Sequence, residues 1–218
     1  MPVAPLPQLL GELSELLGQM CTAAAGALQR ATDALLESRE RLAAQVVAGD
    51  ARIDALRAQT EELACDALLF HAPVAGDLRA VVSAIRAAGD IERMGDLARH
   101  VANVVRMRHP DPALPAEVQP AFADMGRVAV QLALKAAEVV RSHNVLMADE
   151  LDRDDDVMDA LHREMVELLM DGHWPHGLRA AVDVTLLARY YERFADHAVV
   201  VARETVYAVT ASRQLPPI

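Results

Sequence analysis

Aromatic residues make up only 3% of this 218-residue chain, although hydrophobic residues together make up 53%. Sheets draw on Val, Ile and aromatic side chains, so an aliphatic, alanine-rich composition leaves little material for strands and points to helices. Cysteine is almost absent. Cys21 and Cys65 belong to no C-x-x-C pair, which predicts two free thiols, small core residues in a reducing cytoplasm. Basic residues are outnumbered, 21 Lys and Arg against 32 Asp and Glu, for a net charge of −11. That balance excludes a nucleic-acid-binding module, which needs clustered cations on phosphates. No run approaches the roughly 18 uncharged apolar residues of a membrane span. The opening MPVAPLPQLL lacks a basic n-region and is broken by Pro2, Pro5 and Pro7, so it does not read as a signal peptide. A Gly-rich phosphate loop and a nucleophile triad are also missing, so neither of those two chemistries is expected. These absences predict a soluble, acidic, cytoplasmic protein.

Prolines are present, and their placement divides the chain. The stretch HPDPALP, residues 109–115, carries three of them and reads as a linker between residues 8–108 and 117–213. The two halves are related. Laying 78–105 over 178–205 gives 11 identities in 28 without a gap, including Leu78-Arg79-Ala80 with Leu178-Arg179-Ala180, Glu92-Arg93 with Glu192-Arg193 and Asp96 with Asp196. An internal repeat of about 100 residues accounts for this.

Each half shows three segments of helical apolar spacing, 8–48, 50–71 and 77–108, then 117–147, 151–171 and 177–212. Asp50 and Asp77 stand where they could cap the helices they precede, and the second-half breaks fall near Ala148-Asp149 and at Gly172-His173-Trp174-Pro175. The predicted fold is all-α: two tandem three-helix bundles, six helices in all.

The informative chemistry is carboxylate at i and i+4. Four pairs stand out: Asp50/Asp54, Glu92/Asp96, Asp155/Asp159 and Glu192/Asp196. Side chains four apart lie one turn up and about 40° round the helix, so their oxygens can converge on one cation. The repeat places one pair on the second helix and one on the third helix of each half. At 100° per residue Glu92 falls on the side of Leu78, Val81, Ile85 and Ala88, and Arg99 continues that side; Glu192 follows Leu178, Ala181, Thr185 and Ala188. Half-buried like charges are costly unless they share a proton, pair with an arginine or bind a metal. All-oxygen ligands favour hard cations such as iron, manganese or magnesium. Against this stands the ordinary solvated acidic face, with Asp152/Asp156 a competing pair in the run from Asp149 to Asp159. His162, three after Asp159, His100 and His197 could complete a shell, though a lone helical His is more often a surface or hydrogen-bonded residue. His173 and His176 flank Trp174 in a turn, where packing and capping are expected.

The stretch LLFHAPVAGDLRAVVSAIRAAGDIERMGDLARHVANVV, with its echo LRAAVDVTLLARYYERFADHAVVVARETVY, resembles the signature of the PhoU family, and the blocks MGRVAV and DVTLL resemble its actinobacterial members. One departure is His71, where many relatives have Gln. The resemblance spans about residues 8–211 and implies two similar three-helix bundles. It also implies multinuclear metal clusters, iron or zinc, on E/D-x-x-x-D pairs, which are the four pairs above. Manganese is a further candidate. Family members act as negative regulators of phosphate uptake and starvation signalling. The resemblance therefore implies a cytoplasmic homodimeric adaptor, peripheral to membrane complexes. Its partners would be the ATPase subunit of the phosphate ABC transporter and a sensor histidine kinase.

Overall fold

The computed structural model describes residues 4–211. The expected end of the last helix at 212–213 and the proline tail at 215–218 lie outside them. The described residues form seven α-helices, one 3-10 turn and no strand: α1 Leu6–Leu36, α2 Glu40–Gly49, α3 Ala51–His71, α4 Ala75–Arg108, α5 Gln119–Ser142, α6 Val145–Met170 and α7 Gly177–Thr210, with the 3-10 turn at Ala116–Val118. Among them no helix is long and apolar enough to cross a membrane.

Helix boundaries depart from the sequence reading where local chemistry outweighs periodicity. The single helix expected over 8–48 is two, broken at Ser38, whose φ of +53° leaves the helical region. Asp50 does not cap α3. Its backbone stays helical and its side chain makes no cap hydrogen bond, so α2 runs almost directly into α3. Asp77 lies inside the first turn of α4, whose N-cap is Val74. In the second half the break falls at His143-Asn144 and not near Ala148. His143 takes φ +55°, and Asn144 Oδ1 accepts from the backbone N–H groups of Leu146 and Met147 at 3.1 and 3.3 Å.

Four long helices, α1, α4, α5 and α7, pack around one another, with α2 and α3 laid against α1 and α4 and α6 against α5 and α7. One continuous core joins both halves. Tyr191 of α7 is fully buried in it, its hydroxyl 2.8 Å from Thr32 Oγ1 of α1 and its ring 5.9 Å from that of Phe122 in α5. Burial raises the Tyr191 phenol, since charge there would lack solvent. Alanine and glycine at the crossings let the backbones approach. A Cβ on Gly126 would sit 2.6 Å from Thr32 Cγ2. The 109–115 segment contributes as well, burying Ala113 and Leu114. Cys21 is a core residue as expected, whereas Cys65 is exposed on α3.

Candidate functional site

The apolar stripe of α4 does not run straight into the acid motif. Val81 and Ala88 are buried, but Leu78 is exposed, and on α7 Leu178 and Thr185 are exposed too. The true core face is rotated toward Ala84, Ile91 and Ala98, which leaves Glu92 and Asp96 half-buried at the seam with α3. The four acids predicted for each half are brought together there, the first set by α3 with α4, the second by α6 with α7. The charges of Asp54 and Asp96 act on Asp50, and those of Asp159, Glu192 and Asp196 act on Asp155. Their oxygens do not yet converge. Among the described residues, no group of three or more His, Cys, Asp and Glu side chains is arranged to hold a metal ion.

In the first cluster, arginines meet the acids. Arg99 Nε lies 2.6 Å from Asp50 Oδ2, and its Nη2 donates to Asp96 Oδ1. Arg93 Nη1 stands 3.2 Å from Asp96 Oδ2, and Arg57 Nη1 stands 3.3 Å from Glu92 Oε2. Burial raises the Asp50 carboxyl above the usual carboxylate range, with Arg99 opposing the rise. A backbone approach helps to set this up. A Cβ on Gly95 would stand 2.8 Å from Ile53 Cδ1 and 3.2 Å from Asp50 Oδ1, so glycine there lets α4 close on the α2–α3 junction.

The second cluster has less countercharge. Arg189 pairs with Glu192 Oε1, while Glu192 Oε2, like Glu92 Oε2 in the first cluster, is buried and accepts no hydrogen bond among the described residues; Glu92 Oε2 has Arg57 at 3.3 Å. Arg203, whose charge reaches Asp155, gives its hydrogen bond to Asp152 at 3.2 Å. Asp155 is pushed up to about 7, by burial first and then by the charges of Asp196, Asp159 and Glu192. Burial likewise raises Glu192 and Asp196. His162 lies beside this cluster. Burial and Arg189 lower its ring, so it stays neutral and able to act as a ligand. Three other histidines are engaged elsewhere. His197 Nδ1 lies 2.9 Å from Asp90 Oδ1, His100 stacks obliquely on Tyr190, and His71 Nε2 is 2.9 Å from the Ala4 carbonyl. The turn residues pack and cap, with Trp174 Nε1 donating to the Gly177 carbonyl at 3.0 Å and its ring 4.9 Å from that of His176.

What the acid pattern alone does not convey is the role of Arg57 and Arg99. The signal is in the repeat: the offset of 105 that superposes Asp50/Asp54 on Asp155/Asp159 sets Arg57 against His162, and the offset of 100 sets Arg99 against Val199.

The PhoU domain sequence model matches residues 17–105 and again residues 122–205. The chain belongs to the PhoU family. Over 203 residues it is 55% identical to the phosphate-specific transport system accessory protein PhoU homolog 2 of Mycobacterium tuberculosis, covering 93% of this chain and 95% of that protein. It is 52% identical to PhoU homolog 1 of Mycobacterium leprae, covering 93% and 91%. Both agree with the actinobacterial character of its motifs. The crystal structure of PhoU from Pseudomonas aeruginosa superposes with a TM-score of 0.85 at 22% identity, covering 95% of this chain and all of that one. The phosphate transport system regulatory protein PhoU from Streptococcus pneumoniae gives 0.83 at 21%, covering 96% and 99%. These last two establish the fold. PhoU-family members are accessory proteins, not enzymes.

Proposed function

We propose that this chain is a cytoplasmic negative regulator of phosphate uptake and phosphate-starvation signalling. It works as a homodimeric adaptor between the ATPase subunit of a phosphate ABC transporter and a sensor histidine kinase. The observation that carries this reading is the double match to the PhoU domain, together with near full-length identity above 50% to proteins named as accessories of the phosphate-specific transport system. An acidic chain of net charge −11 suits an adaptor that meets basic protein surfaces.

The acid clusters are part of the same proposal. Asp155, Asp159, Glu192 and Asp196 fit a hard cation. They supply oxygen donors, one buried Glu192 oxygen has no hydrogen-bond partner among the described residues, and burial, then mutual repulsion, raises Asp155, a rise that an added positive charge would oppose. Iron, manganese or zinc would supply that charge, with His162 at hand for the softer ions. Asp50, Asp54, Glu92 and Asp96 offer the same donors, but a cation there must displace Arg99 or Arg57.

Deleting the gene should raise phosphate uptake and switch on a starvation reporter in phosphate-rich medium. Tagged protein should retain both the transporter ATPase and the kinase in pull-downs. An unchanged reporter, with neither partner retained, would sink the proposal.

A further inference from the structure

The contacts between α4 and α7 run antiparallel, from Arg86 with Glu204 through Asp90 with His197 to Arg108 with Asp183. The repeat makes this pairing nearly two-fold. At one end Asp183, only 5% exposed, accepts from Arg108 Nε and Nη2 at 2.6 and 2.7 Å. The offset of 100 maps Asp183 onto Ser83 and Arg108 onto Ala208. At the opposite end of the pair, therefore, the ion pair between buried Asp183 and partly exposed Arg108 is replaced by a serine and an alanine. Both line a cavity of about 600 Å³.

Its walls are largely aliphatic, among them Leu10, Leu13, Leu17, Ala84, Ala87 and Val140. Ser83 is 3% exposed, and its hydroxyl has no hydrogen-bond partner among the described residues. A buried hydroxyl left unpaired is costly, and it is usually satisfied by protein, water or ligand. On the α1–α5 side the lining includes Arg141 and His143. Arg141 lies flat on α1 because position 18 is glycine; a Cβ there would stand 2.6 Å from its Cζ. Exposed Glu15 now accepts from Arg141 Nε at 3.0 Å. A cavity of several hundred Å³, apolar with a few placed polar groups, is the usual form of a small-molecule site.

We propose that this cavity binds an acylated small anion. The aliphatic chain lies among the leucines and alanines, a carbonyl accepts from the Ser83 hydroxyl, and the carboxylate meets Arg141 and His143 in place of Glu15. The site is separate from both acid clusters, so it stands whether or not they take metal.

N-octanoylglycine titrated into the full-length protein by calorimetry should bind saturably at one per chain. Ser83→Ala should weaken it about fivefold, one neutral hydrogen bond. N-octanoylglycinamide, lacking the charge, should bind at least tenfold more weakly than the acid. The double substitution Ser83→Asp with Ala208→Arg transplants the pair from the other end and should abolish binding while keeping helicity. If that double variant fails to fold, Ser83→Ala at unchanged helicity decides the matter. No saturable binding at millimolar ligand overturns the proposal. So does wild-type affinity in Ser83→Ala, or equal affinity for acid and amide.

Discussion

The two acid clusters derive from one repeated unit, yet they solve the same electrostatic problem differently. In the first, Arg99 bridges Asp50 and Asp96 while Arg57 reaches Glu92, so the protein itself provides the countercharge. In the second, the equivalent positions are Val199 and His162, Arg189 takes one oxygen of Glu192, and Asp155 is pushed up to about 7. Half-buried carboxylates must be neutralised by a cation, a proton or both. One cluster has an arginine bridging two of its acids; the other takes less countercharge from the fold, and its Asp155 carboxyl is raised accordingly. A shared motif therefore does not guarantee a shared occupant, because two substitutions beside it change what the site lacks.

This contrast can be broken in four ways. The largest expected effect is on metal uptake. Glu192→Ala with Asp196→Ala should weaken binding of iron or manganese a hundredfold, about 2.7 kcal/mol, whereas Glu92→Ala with Asp96→Ala should change it less than about threefold. Metal analysis after equilibrium dialysis checks this, and equal losses would erase the distinction. Next comes stability. Arg99→Ala strands the mostly buried Asp50 and leaves Asp96 only the exposed Arg93, and should cost about 2 kcal/mol in urea unfolding, below the range for a fully buried pair because Arg99 itself is one-third exposed.

The third effect is on pH dependence. A carboxyl raised in the folded state stabilises the protein while it holds its proton, and that stability is lost as pH rises through the folded value. Metal-free Asp155→Asn should thus match wild type near pH 4. At pH 8 it should exceed wild type by about 1 kcal/mol, a figure reduced for solvent screening because Asp155 is only partly buried. Thermal melts of both proteins at the two pH values measure the divergence, and a gain at pH 4 instead would contradict it. The smallest effect should come from exchanging the neighbours. His162→Arg should lower metal uptake by the second cluster about threefold, through added positive charge of the kind that Arg57 supplies in the first. No change on dialysis would mean that the position has no say in occupancy.

Much of this was legible in the chain. Low aromatic content and apolar spacing near 3.6 residues mark helices, and the 100-residue repeat locates all eight acids before any coordinates. Boundaries were less legible at Ser38 and at His143-Asn144, because a single residue in the left-handed region ends a helix without disturbing the hydrophobic pattern on either side. Asp50 shows the limit most clearly. Its position before α3 suggests a cap, yet its carboxylate is drawn to Arg99, forty-nine positions away, by a helix contact that only folding creates.

The sequence by itself determined the helical class, the internal repeat, the PhoU-type motifs and the identity of the eight carboxylates, because each depends on spacing along one chain. Tertiary structure alone decided that the halves share a continuous core, that Arg99 bridges two acids of one cluster while Arg189 takes a single Glu192 oxygen in the other, and that Ser83 and Ala208 line an aliphatic cavity where the other end has the Asp183–Arg108 ion pair. Those outcomes rest on which side chains meet across helices far apart in sequence, and burial then sets the energy of each meeting.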